Sequence, residues 1–253
     1  MFRRWTLFFV TTFFLLLMEV SSAIAGEVAK PAQAELGIRD LFAAGGSIGW
    51  LIVLLSLLMV SLIVEHIISL RRSVLIPQQL AEEVHSLVSQ NQIAQAEQLC
   101  SETPSFLGRV LSSGLKEIPY GYASVEKSME DTSLEQAGRL FRKIEYLSII
   151  STIAPMLGLM GTVWGMIVAF LEFQTKANPQ VAELAPGIYK ALVTTLMGLG
   201  VAVPALATFA IFRNRIDGMV AEATLLAEHV FEDFKRAQHN RRVSAARKRR
   251  EAE

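Results

Sequence analysis

Four uninterrupted apolar blocks punctuate this chain, and nearly all of its charge lies between and after them. The first covers 5–17. The second runs over 48–70 with no charge before Glu65, the third over 146–173 with Glu172 as its interior charge, and the fourth over 184–212 with Lys190 alone. A helix needs ~20 apolar residues to cross a bilayer and satisfies its own backbone there. The last three blocks are long enough and are predicted as transmembrane helices at 48–70, 146–173 and 184–212. The first falls short. Arg3 and Arg4 precede it, and the small residues Ala23 and Ala25 follow, the pattern of a cleaved signal peptide over 1–25. Its alternative, an uncleaved first helix, suffers from a core of only roughly 13 apolar residues.

Between the blocks the apolar positions keep helical spacing. Leu80, Val84, Leu87 and Val88, then Ile93, Ala96 and Leu99, recur at the period of a half-buried helix. Pro104 and Pro119 bracket a short helix, and Gly121 breaks the chain before a longer one that meets only Pro155 before residue 173, so it is expected to run from solvent straight into the membrane. After the fourth block, Ile216, Met219, Val220, Ala223, Leu226, Ala227, Val230, Phe231 and Phe234 form one stripe, suited to packing on the 71–145 helices or on a neighbouring subunit. The predicted fold class is therefore all-α: an integral membrane protein with three mature transmembrane helices and long helices extending into the cytoplasm.

Charge gives these helices a direction. Lys and Arg number eight in 71–145 and ten from 213 onward, including Arg247, Lys248, Arg249 and Arg250, against three on the other side: Lys30, Arg39 and Lys176. The positive-inside rule then places 71–145 and the amphipathic helix and basic tail of 213–253 in the cytoplasm, with 26–47 and the turn 174–183 outside. An outward N-terminus agrees with a signal peptide, and the bacterial inner membrane is the expected location. Overall the chain is neutral, with 24 basic and 24 acidic residues and a mean hydropathy of +0.39. The closing basic run reads as a solvated tail near anionic lipid, not a nucleic-acid site. Cys100 is alone, which excludes an internal disulfide and suits a reducing compartment.

Enzymatic chemistry finds no foothold. His66, His85, His229 and His239 never pair at ligand spacing, and no Gly-rich phosphate loop or nucleophile constellation appears, so no catalytic residue, metal or cofactor is expected. His66 beside Glu65 reads as a polar pair at the inner interface. The informative stretch is the hairpin of the last two spans. Gly158, Gly161 and Gly165 fall on one smooth helical face, and Ala191, Thr195, Gly198 and Ala202 on another, with Pro204 following. Thr162 and Thr195 sit at similar depth. Spacing leaves two readings of them equally open: hydroxyls lining a narrow polar path, or hydroxyls bonded back to their own helices.

The stretches 154–165, containing Gly161-Thr162-Val163-Trp164-Gly165, and 185–204, containing Ala185-Pro186-Gly187, Thr194-Thr195 and Pro204, resemble the signature of the ExbB/TolQ/MotA proton-channel family. Three spans resemble the ExbB/TolQ branch. The resemblance implies a homo-oligomer, a pentamer, around single-span helices of an ExbD/TolR-like partner. It implies proton-driven work on TonB-dependent uptake through a TonB-like protein, or TolQ-like envelope maintenance. It also makes Thr162 and Thr195 the polar pore residues, with Thr194 and Lys190 beside them. Lys190 stands where the family often has glutamate; it is expected to snorkel outward or to pair with Glu183, Glu172 or a partner acid. No mature span carries a carboxylate near its middle, so the titrating group is expected on the partner. A non-conducting helical scaffold is the competing reading.

Overall fold

Apolar length and breaker positions decide where helices begin and end in the computed structural model, which describes residues 46–175, 180–238, 240 and 244. The expected signal peptide, Lys30, Arg39, Lys176, His239 and the basic run 247–250 lie outside the described residues. Helix α1 spans Gly46–Ser69. Four short helices follow: α2 (Arg72–Leu75), α3 (Gln78–Ser89), α4 (Ile93–Glu102) and α5 (Phe106–Glu117). A 3₁₀ turn, Ile118–Tyr120, leads to α6 (Tyr122–Gln174); another, Val181–Leu184, leads to α7 (Ala185–Val230). No strand occurs among the described residues, and the fold is all-α.

At ~1.5 Å per residue α6 is about 80 Å long and α7 about 69 Å, more than twice the ~30 Å of a hydrocarbon core. Each therefore carries an apolar half and a polar half. The apolar windows of α1, α6 and α7 are long enough to cross a membrane, and only 17%, 22% and 28% of them is buried within the chain. In water such exposure would be untenable, so these faces meet lipid or other chains. The protein is a multi-pass membrane protein.

Local signals explain the boundaries. Gly121, with φ +98°, takes a backbone conformation that a side chain would strain, and it separates the 3₁₀ turn from α6. Helix α6 continues through Pro155, and α7 continues through Pro204. Pro186 sits in the first turn of α7, where its missing N–H costs nothing. The Ser105 side chain caps α5 by accepting from the Gly108 amide at 2.9 Å. Ser105→Ala removes that acceptor from a buried site and is expected to cost about 1 kcal/mol, read as a lower midpoint in thermal unfolding of the detergent-solubilised protein. An unchanged midpoint would show the cap to be dispensable.

The polar halves of α6 and α7 form a bundle with α3, α4 and α5. The stripe on α7 packs on the chain's own helices: Ile216, Met219, Ala223, Ala227, Val230 and Phe231 are buried with Leu80 and Val84 of α3 and with Leu107, Val110, Leu111 and Leu115 of α5. Polar ties close the bundle. The Arg72 guanidinium binds the Glu222 carboxylate, holding that acid below the usual carboxylate range. Ser133 and Thr224 hydroxyls meet at 3.1 Å, and the Gln238 side-chain oxygen accepts from the Tyr122 amide at 2.9 Å. Cys100 is buried in this bundle, and burial pushes its thiol up to about 11. Since the thiolate is the reactive form, alkylation of the folded protein should stay slow at neutral pH and accelerate only toward that value, or on unfolding. Rapid maleimide labelling at pH 7 of folded protein would contradict this.

Candidate functional site

The antiparallel α6–α7 hairpin brings two backbones close together, and glycine makes this possible. A Cβ added to Gly165 would meet Ala191 Cβ at 3.2 Å; one on Gly161 would meet Thr194 Oγ1 at 2.5 Å; one on Gly158 would meet the Thr194 carbonyl at 3.0 Å and Thr195 Cα at 3.1 Å. On the opposing helix, a Cβ at Gly198 would lie 2.6 Å from the Ala154 carbonyl oxygen, and one at Gly187 would collide with Ala169. The steps of three or four from Ala169 to Gly158 along α6 are answered by steps of three or four from Gly187 to Gly198 along α7. The contact is a continuous seam with backbones nearly touching.

This register departs from the expected face at one position. The expected α7 set was Ala191, Thr195, Gly198 and Ala202, but the residue filling the seam at this level is Thr194, 3% exposed, packed on Gly161. Its hydroxyl donates to Ala191 O at 2.7 Å and lies 3.4 Å from Gly158 O. Thr194 is thus a packing residue within this hairpin, not a group open to either side as expected from its place in the motif. The reason is helical drift: residues three and four apart from Ala191 straddle the same line, and only the glycine spacing on α6 selects between them.

Thr162 and Thr195 lie one residue beyond the seam positions Gly161 and Thr194. Because the helices are antiparallel, an advance of one residue, about 100°, turns both toward the same side of the hairpin. Both are half-buried. Thr162 donates to Leu159 O at 2.6 Å, and Thr195 Oγ1 lies 3.4 Å from Gly158 O across the seam. Each hydroxyl keeps its oxygen free to accept a further bond. Back-bonding to its own helix holds for Thr162, whereas the Thr195 hydroxyl reaches a carbonyl of the opposing helix.

Residues one position before the seam, Leu157, Met197 and Val201, belong instead to the buried cluster that includes Ile52 and Met59 of α1. The threonines lie on the other side of the seam. Lys190, one position before Ala191, turns to the side of the seam opposite the threonines and is exposed. It does not share the threonine side, contrary to its grouping with them by sequence. Around Thr162 and Thr195 the same side presents exposed Leu192 and Leu199. No Asp, Glu, His, Lys or Arg lies within 146–171 of α6 or 191–212 of α7. His66, expected as a polar partner of Glu65, instead turns into the protein, because neighbours on a helix point in different directions. It is 4% exposed, whereas Glu65 is exposed.

The hairpin thus carries a glycine seam with a hydroxyl pair on one open side, and comparison with known proteins gives the class. Residues 102–224 match the family model of the MotA/TolQ/ExbB proton channel family. An ExbB homolog from Methanothermobacter thermautotrophicus, described as a biopolymer transport protein, is 28% identical over 190 residues, 75% of this chain and 67% of its own length. The biopolymer transport protein ExbB of Salmonella typhimurium is 36% identical over 109 residues, and the Tol-Pal system protein TolQ of Pseudomonas aeruginosa 29% over 104; each alignment takes in 41% of this chain and 45% of the relative. The alignments to those two relatives thus span under half of their length. These matches support the MotA/TolQ/ExbB family for this chain.

Proposed function

We propose that this chain is the channel-forming subunit of a proton-motive-force-driven complex in the bacterial inner membrane, energising biopolymer transport or envelope maintenance. The observation that carries the reading is the shared side of Thr162 and Thr195 beside a stretch of both helices without an ionisable group. Hydroxyls relay or orient water but do not take up protons near neutral pH, so a path along this side needs a titrating group from elsewhere. A single-span partner helix of ExbD/TolR type, carrying a membrane carboxylate, supplies it.

In this reading several copies of the chain, five by family resemblance, surround the partner helices, and the exposed apolar faces of α1, α6 and α7 are divided between neighbouring copies and lipid. The polar bundle and C-terminal tail lie in the cytoplasm and the start of α1 faces outward, in accord with the eighteen-to-three distribution of basic residues. A TonB-like protein would receive the motion. The ExbB-named relatives favour transport; the TolQ-named relatives favour envelope maintenance.

Gentle detergent extraction of the tagged chain from its native membrane tests the class. A short single-span protein with an aspartate or glutamate in its span is expected to co-purify in stoichiometric amount. Recovery of an oligomer of this chain alone, from cells shown to express such a protein, would leave the scaffold reading standing and the channel reading without its proton carrier.

A further inference from the structure

Among the described residues His66 is the one histidine, acidic or basic side chain buried within the three apolar helices, and all three touch it. On α1, its Nδ1 lies 2.6 Å from the Leu62 carbonyl oxygen. On α6, the Lys143 carbonyl oxygen lies 3.0 Å from Nε2. On α7, the ring of Phe212 stacks on the imidazole with centroids 5.7 Å apart and planes 29° apart. A carbonyl oxygen only accepts, and a neutral imidazole carries a single N–H. Two acceptors at hydrogen-bond distance therefore require two ring protons if both contacts are bonds.

We infer that His66 is a proton-dependent latch that fastens α1 to the α6–α7 hairpin when both ring nitrogens are protonated and loosens it when one proton leaves. His66 lies in the last turn of α1, where the helix dipole presents its negative end. The face of Phe212 offers a quadrupole to a cation. In the neutral form one carbonyl, that of Leu62 or of Lys143, would face a ring lone pair in a buried site, which proteins avoid. The latch is complete on the acid side of the ring's titration and lacks one of its two bonds on the alkaline side.

Charged groups stand near this level on every packed element. Glu65 is the sequence neighbour on α1; Arg142, Lys143 and Glu145 lie at this level of α6, and Arg213, Arg215 and Asp217 at this level of α7; Arg71 and Arg72 follow α1. None of the ion pairs recorded among the described residues involves the His66 ring. The carbonyl pair is thus the distinguishing partner. The inference stands apart from proton conduction: it concerns how α1 is held, and it would hold in a non-conducting scaffold.

The test uses the full chain in lipid bilayers, labelled with ¹⁵N-histidine, with His66→Asn to assign the signal among the four histidines. Ring nitrogens are followed over about pH 5.5 to 8.5, the range in which histidine charge changes. Both nitrogens of His66 are expected to carry protons at the acid end and one to lose its proton toward the alkaline end. In parallel, spin labels at the exposed positions Ile68 and Tyr146, in a Cys100→Ala background diluted with unlabelled chain, read the α1–α6 spacing. Its distribution is expected to broaden with rising pH in the parent and to lose that response in His66→Phe, which keeps the stacking and lacks both donors. A ring with a single N–H across the whole range overturns the latch. So does a pH response of the spacing that His66→Phe retains.

Discussion

Gly198→Val is expected to force the α6–α7 hairpin apart and to be among the most disruptive substitutions in the apolar half of the protein. The Cβ it adds falls 2.6 Å from the Ala154 carbonyl oxygen and 3.1 Å from Gly158 Cα. Both obstacles are backbone, so no rotamer change relieves them; one helix must move. Overpacking of this kind costs typically about 1–3 kcal/mol, and a β-branched side chain at a backbone-to-backbone contact belongs at or beyond the upper end. Gly200, two residues along the same helix, has nothing within 4 Å of its added Cβ, so Gly200→Val introduces no clash within the chain. Gly161→Ala should fall between, because its nearest neighbours are the side-chain atoms of Thr194. Thermal unfolding of each variant in the same detergent reads the order. Equal midpoints for the valine variants at 198 and 200 would mean that the seam is not the close contact described here.

Thr195→Val carries the largest expected effect on activity. The change preserves shape and removes one hydroxyl from the side shared with Thr162, so assembly should persist while proton-driven work is lost. Thr194→Val is the matched control. It removes a hydroxyl one position away that is buried in the seam and bonded to its own helix at 2.7 Å, so it is expected to cost about 1 kcal/mol of stability and to leave proton-driven work near the parental level. Proton uptake by vesicles containing the chain with its partner, together with sizing of the complex, distinguishes the two. Should both variants conduct like the parent, Thr195 has no part in a path; should Thr194→Val be the inactive one, the side assigned here to the path is the wrong one.

The pair of threonines shows where reading a chain stops. Both were visible as hydroxyls among small residues, and their depth followed from counting at ~1.5 Å per residue. Which of Thr194 and Thr195 enters the seam was not visible, because either lies within a fraction of a turn of the line through Ala191 and Gly198. Lys190 is grouped with them by motif, yet its angular position puts it on the opposite side of the seam. His66 is a sharper case. Its neighbour Glu65 suggested an interfacial pair, and nothing in local sequence announces a carbonyl contributed from 77 residues away.

What the amino-acid order alone determined was the number of long apolar helices, the continuity of α6 through Pro155, the amphipathic stripe of α7 and the all-α class. Each follows from a local property: apolar length against the thickness of a bilayer, side-chain period, and the placement of glycine and proline. Tertiary structure alone decided that the α7 stripe packs on the chain's own α3 and α5, that Thr194 fills the seam while Thr195 borders it, and that one buried imidazole touches all three apolar helices. Those outcomes depend on the register between helices. Register is set by where backbones come closest, and that is a property of two surfaces together, not of either one.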